Sequence, residues 1–207
     1  MAEQTVRQGN QMPLGKSVCI LVFDGMADWE AAYALAELRR WGKRQVVSAG
    51  FTREPVHTMG GLTVAPDIAL AELDSRDVEL LILPGGDAWE STEYPRRDLE
   101  TLLDRLMAVQ TPIAAICGGT LALARAGILN DRPHTSTVRE DLARHAPEYR
   151  GQAHYRDDPV VVDGCIITAS GLAPVDFARA IFRSLSVFSQ SDEQLWFDMH
   201  KHGRLPT

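Results

Sequence analysis

Cysteine is scarce in this 207-residue chain: only Cys19, Cys117 and Cys165 occur, an odd number, widely spaced and without a CxxC pair. That argues against a disulfide framework or a zinc cluster and for a reducing, cytoplasmic compartment. Long apolar runs are missing as well. No stretch of 18 apolar residues is present, so no transmembrane helix is expected. The opening MAEQTVRQGNQMPLGK, residues 1–16, lacks the apolar core of a secretory signal. It reads as a flexible tail ahead of a single domain over 17–207. Long basic runs are absent too, and the formal net charge of −7 argues against nucleic acid or an anionic membrane as the main partner. There is no internal repeat, low-complexity tract or Pro/Ser-rich linker. At 45% hydrophobic residues, the chain has what one compact core requires.

What is present is an alternation of strand-like and helix-like stretches. SVCILVFDG (17–25) reads as a buried strand closed by Asp-Gly. ADWEAAYALAELRRWG (27–42) follows as a helix, with Trp29, Ala32, Tyr33, Leu35, Ala36 and Leu38 expected on one face and Gly42 as the stop. RQVVSAG (44–50) completes a βαβ unit, which implies a parallel sheet with right-handed crossovers. PVHTMGGLTVAP (55–66) predicts a hairpin around Gly60-Gly61. DVELLILPGG (77–86) is a second buried strand, RDLETLLDRLMAVQ (97–110) an amphipathic helix, PIAAIC (112–117) a strand and GGTLALARAGIL (118–129) a helix of small residues. TVREDLARHAPEY (137–149) is a weaker helix, and PVVVDGCIITASG (159–171) gives two strands about Asp163-Gly164. APVDFARAIFRSLSVF (173–188) and SDEQLWFDMHKHG (191–203) are helices, the latter capped by Ser191 and stopped by Gly203.

The fold class is therefore α/β: a flavodoxin-like three-layer α/β/α sandwich with a mostly parallel sheet. Such folds place their sites at the carboxyl ends of the strands. Three strands here end in chemically suggestive corners, FDG followed by DWE, LPGG, and ICGG.

Cys117 stands at the last of these. Helix N-terminal amides favour thiolate, so its pKa is expected well below the ~8.5 of a free thiol. The glycines after it let backbone N–H groups approach an oxyanion, as in a nucleophile elbow. A buried, inert cysteine is the plain alternative, and it is the favoured reading for Cys19 and Cys165, which fall inside strands. Glu30 sits in the first turn of the first helix. It either complements the helix dipole or points over the sheet edge at Cys117, with a pKa raised by burial and like charge. Asp28, two residues away, is the weaker candidate for that contact. His134, in a loop after the elbow helix, is a candidate acid or base, or a solvated loop histidine, with His154 as its rival. No metal-ligand spacing is recognisable. Trp29 and Trp89 flank the corners as pocket walls or, the favoured reading, as core or subunit contacts.

VFDGMADWEAAYALAEL, LLILPGGDAWE, PIAAICGGTLALARAGIL and DGCIITASGLAPVDFARAI together resemble the ThiJ/PfpI superfamily, over about residues 17–188. The resemblance implies a flavodoxin-like, class I glutamine amidotransferase-like fold. It implies a reactive Cys117, a thiol-contacting carboxylate at Glu30, backbone donors at Gly86 and Gly118, and a histidine matching His134. It also implies a homodimer that needs no cofactor or metal. Two departures narrow the activity. Gly118 replaces the histidine that follows the cysteine in archaeal protease members, and TASGLAP lacks the His-x-Glu pair of glutamine amidotransferases. Proteolysis and glutamine hydrolysis are therefore not expected. The expected function is attack by Cys117 on a small electrophilic substrate, as an intracellular amidase or hydrolase or in glyoxalase- or deglycase-like chemistry. The alternative is a redox or stress sensor that works by oxidation of Cys117.

Overall fold

A computed structural model describes residues 15–205 apart from residue 92. Its strands, in chain order, are β1 (Ser17–Val22), β2 (Val46–Gly50), β3 (Val56–His57), β4 (Thr63–Val64), β5 (Ile68–Ala69), β6 (Val78–Leu83), β7 (Ile113–Ile116), β8 (Val160–Asp163) and β9 (Ile166–Ala169). Its α-helices are α1 (Asp28–Arg40), α2 (Arg96–Ala108), α3 (Gly119–Arg125), α4 (Arg139–His145), α5 (Pro174–Ser184) and α6 (Gln190–His202). Seven strands form one sheet in the order β5-β2-β1-β6-β7-β9-β8. All its pairings are parallel except that of β8 with β9. The hairpin of β3 and β4 stands apart as an antiparallel ribbon.

The apolar runs of β1, β6 and β7 become central strands because both of their faces are covered. Leu80 to Leu83 and Ile113 to Ile116 have no solvent exposure at all, and truncating one of the leucines or isoleucines to alanine costs about 2–5 kcal/mol. From β1 the chain crosses by α1 to β2 on one side, and from β6 it crosses by α2 to β7 on the other. Right-handed crossovers put those two helices on opposite faces. The order therefore reverses between β1 and β6, which opens a crevice at their carboxyl ends. Among the described residues no helix is long and apolar enough to cross a membrane.

Some local expectations change. On α1 the buried residues are Glu30, Ala31, Ala34, Glu37 and Leu38, while Ala32, Tyr33 and Ala36 are exposed and Trp29 is 50% exposed. Apolar residues surround this helix, and small alanines rather than aromatics face inward, where α1 lies close against α5. Ser189, not Ser191, caps α6 by accepting the Asp192 N–H, while Gly203 ends it in the left-handed conformation. Cys165 follows the Gly164 turn and is half-buried, with Sγ 3.9 Å from Met107 Sδ. Cys19 is fully buried, and burial pushes its thiol up to about 12. Residues 68–76, where no sequence pattern predicts an element, supply the edge strand β5 and, with Asp77, two turns of 3-10 helix. Nearly all of the expected N-terminal tail lies outside the described residues.

Candidate active site

The corner after β7 is a strained elbow. Cys117 has φ of +55°, a left-handed conformation that side chains disfavour. The surroundings hold it there: its N–H donates to Ala169 O at 2.9 Å. Its carbonyl accepts from the Thr120 N–H at 3.1 Å and the Thr120 hydroxyl at 2.7 Å. Strain that is over-determined in this way is characteristic of functional positions. The thiol emerges half-buried, hydrogen-bonded to the Glu30 carboxyl, the Thr137 hydroxyl and the Gly118 N–H.

Glu30 comes to this sulfur from the first turn of α1 and is 1% exposed. Its Oε2 accepts the Gly85 N–H at 2.5 Å from the corner after β6. Two glycines make room for the pair. A Cβ at Gly85 would lie 2.7 Å from Glu30 Oε2 and 2.8 Å from Cys117 Cβ, and one at Gly171, after β9, would lie 2.8 Å from Cys117 Sγ. Any side chain at either position would displace the reacting groups. The Gly171 N–H donates to Thr137 Oγ1 at 2.8 Å, which orients that hydroxyl.

Burial pushes the Glu30 carboxyl up to about 7, against the opposing pull of the Gly85 N–H and the Cys117 contact. Burial, then the negative charge of Glu30, also pushes the Cys117 thiol up, and the Thr137 and Gly118 hydrogen bonds only partly offset this. That direction corrects the expectation of a thiol titrating below its free value. The helix it precedes has only seven residues, while the carboxylate beside it is a full like charge. The two groups hold their protons as a coupled pair, the first leaving near neutral pH.

Gly86 and Gly118 line the same cavity. The Gly86 nitrogen lies 3.4 Å from the position a Gly118 Cβ would take, and the Gly118 N–H reaches the thiol. The amide that holds Glu30 is nevertheless that of Gly85, one residue before the expected donor.

His134 is not brought to the cysteine. It is 0% exposed, with Nδ1 2.8 Å from Arg132 O and Nε2 2.6 Å from the Tyr149 hydroxyl. Burial holds its pKa below the usual value, so the ring is a neutral structural link. His154 is exposed on a turn of 3-10 helix. The histidine that does line the cavity is His145, at the end of α4, and only its position in a helical pattern marked it in the sequence. Trp89 is core: its Nε1 donates to Pro84 O at 2.8 Å and steadies the LPGG corner. Trp29 lines the cavity.

The cavity has a volume of about 180 Å³. Trp29, Met59 and Val138 form apolar parts of its wall, and Asp87, Glu90 and Asp141 bring carboxylates to it. Among the described residues no group of three or more His, Cys, Asp or Glu side chains converges in a way that could hold a metal ion.

A flavodoxin-like α/β sandwich with a cysteine elbow facing a buried glutamate is a recognisable class of protein. The sequence profile of the DJ-1/PfpI family matches residues 16–184, and the chain belongs to that family. It is 39% identical over 194 residues to the Bacillus subtilis uncharacterized protease YoaZ, covering 90% of this chain and 91% of that one. It is 34% identical over 149 residues to the Thermococcus kodakarensis deglycase TK1284, covering 71% and 85% respectively. Among solved structures, a thiJ/pfpI family protein from Bacillus anthracis superposes with a TM-score of 0.84 at 34% identity, covering 94% of each chain.

Proposed function

We propose that this chain is a cysteine-dependent enzyme acting on a small electrophilic carbonyl compound, with glyoxalase- or deglycase-like or small-amidase chemistry. The observation that carries the reading is the buried Glu30 carboxyl hydrogen-bonded to the Cys117 thiol. A base with a pKa near the working pH suits proton transfer, and Glu30 is pushed up to about 7. Glu30 takes the thiol proton as sulfur bonds to the carbonyl carbon, then returns it to the carbonyl oxygen, which Gly118 and Gly86 amides support meanwhile. With an α-oxoaldehyde, the product is a hemithioacetal. Moving its C–H proton through Glu30 to the neighbouring carbonyl carbon, and its hydroxyl proton to the oxygen of that carbonyl, gives a thioester, and water then releases a 2-hydroxy acid and the thiol.

The cavity volume of about 180 Å³ fits small substrates. The names of two similar proteins point the same way: the T. kodakarensis deglycase, and a Caenorhabditis elegans glutathione-independent glyoxalase that is 30% identical over 151 residues. The test is methylglyoxal consumption, with wild type active and Cys117→Ser inactive. A second reading, a redox sensor, draws on the same contact, because protonated Glu30 can donate to a Cys117 sulfinate. Absence of turnover on aldehydes and amides, together with selective peroxide oxidation of Cys117, would favour the sensor. We also read the protein as a cytoplasmic homodimer. The exposed Trp41, Leu195 and Met199 support association, which sedimentation velocity tests.

A further inference from the structure

The hairpin of β3 and β4 belongs to no larger sheet, yet it is firmly attached. Its ties run to Asp24, Gly25, Met26 and Asp28, in the corner that leads into Glu30. The Gly25 N–H donates to His57 O at 2.7 Å, and the Met59 N–H donates to Met26 O at 2.8 Å. Two carboxylates add side-chain ties: the His57 N–H donates to Asp24 Oδ1 at 2.7 Å, and the Gly60 N–H to Asp28 Oδ2 at 2.6 Å. The side chain of buried Thr58 faces Asp28 and above all holds the Asp28 carboxyl below its usual value. Asp28 therefore grips both sides of Met59 without touching the sulfur. Met59, at the hairpin tip, lines the Cys117 cavity together with Trp29.

We propose that this hairpin is the specificity element of the site, with Met59 limiting substrate size and Asp28 as the residue that positions it. The occupant is then a compact electrophile. The cavity, about 180 Å³, is of a size for a small molecule. The inference rests on Cys117 being the reacting group. It does not need turnover, because a thiol reports the shape of its cavity to any alkylating reagent.

The test compares two neutral reagents with one warhead, iodoacetamide and the bulkier 2-iodoacetanilide. Rates at the Cys117 peptide are read by mass spectrometry and divided by the rates with N-acetylcysteine. Wild type should disfavour the bulky reagent by about tenfold or more, the scale of steric discrimination in a fixed pocket. Met59→Ala should cut that discrimination at least about fivefold, while the iodoacetamide rate stays within about twofold; Met59→Trp should sharpen it. Asp28→Ala should relax discrimination as Met59→Ala does, and Asp28→Asn, which keeps an acceptor for the Gly60 N–H, should restore most of it. General loosening of the fold would instead expose the buried Cys19 and raise both rates together. If Asp28→Ala does so, the two Met59 variants decide. Equal treatment of the two reagents by wild type, or discrimination unmoved in Met59→Ala, overturns the proposal. Loss of the turnover reading alone would leave these ratios as they are.

Discussion

The Glu30 carboxyl and the Cys117 thiol are hydrogen-bonded to each other across the carboxyl edge of the sheet, one at the start of α1 and the other at the turn after β7. Both are acids and both are largely out of water. The Glu30 charge opposes ionisation of the thiol, while the thiol contact favours the Glu30 carboxylate, and the chemistry of the site is set by which one holds the proton.

The first consequence is a pH profile. Since burial pushes Glu30 up to about 7, its base form appears only as pH rises through neutrality. The kcat/KM for methylglyoxal should climb along a limb near pH 7, not near the ~4.3 of an exposed glutamate. Glu30→Gln should abolish that limb and lower the rate by roughly 10²–10⁴. A limb left unchanged in Glu30→Gln would remove Glu30 from the reaction.

The same group makes stability depend on pH. Its folded pKa lies above the unfolded one, so the folded state binds the extra proton. The stabilisation is complete below the ordinary glutamate value and is lost as pH rises through about 7. Denaturant unfolding of wild type and Glu30→Gln should diverge between pH 5 and pH 8, the wild type losing up to about 3 kcal/mol relative to the variant. Parallel curves would mean that Glu30 is not proton-coupled to folding.

His134 should behave as a structural residue. His134→Phe strands the Tyr149 hydroxyl and the Arg132 carbonyl that the ring now bridges, at a cost of about 1–3 kcal/mol each. Chemical denaturation should register that loss, while the Cys117 alkylation rate, measured where the variant remains folded, stays unchanged. An unfolding midpoint like wild type with slower alkylation would reverse the assignment.

The carboxylates at the cavity should select by charge. Asp87, Glu90 and Asp141 line it and, among the described residues, no lysine or arginine does, although Arg144 pairs with Asp141 at 3.0 Å. A cationic methanethiosulfonate should modify Cys117 about tenfold faster than an anionic one at low salt, after correction for intrinsic reactivity. Asp87→Asn with Glu90→Gln should shrink that ratio, as should added salt. A ratio near unity at low salt would contradict this.

Much of the architecture is legible in the sequence, because continuous apolar runs such as SVCILV and VELLIL have one stable environment, the middle of a covered parallel sheet. The strand-end corners follow from the glycines that terminate those runs. The facing side of α1 is hidden, since apolar residues ring the helix and only the fit against α5 chooses Ala31, Ala34 and Leu38. His134 is likewise opaque: its partner Tyr149 lies 15 residues on, and a loop histidine carries no periodicity to reveal burial. Thr137 and the Asp28 grip on Gly60 are contacts between distant segments, 32 residues apart in the latter case. Local patterning does not encode them.

The left-handed backbone at Cys117 sets heat resistance and reactivity against each other at a single position. Glycine adopts that geometry freely, whereas a side chain there carries a penalty of about 1–2 kcal/mol. Laboratory selection for survival at high temperature alone would therefore drift toward glycine at 117 and discard the thiol early. A robust and still reactive variant has to draw its added stability from elsewhere in the molecule, and the sulfur has to be made an explicit condition of the screen.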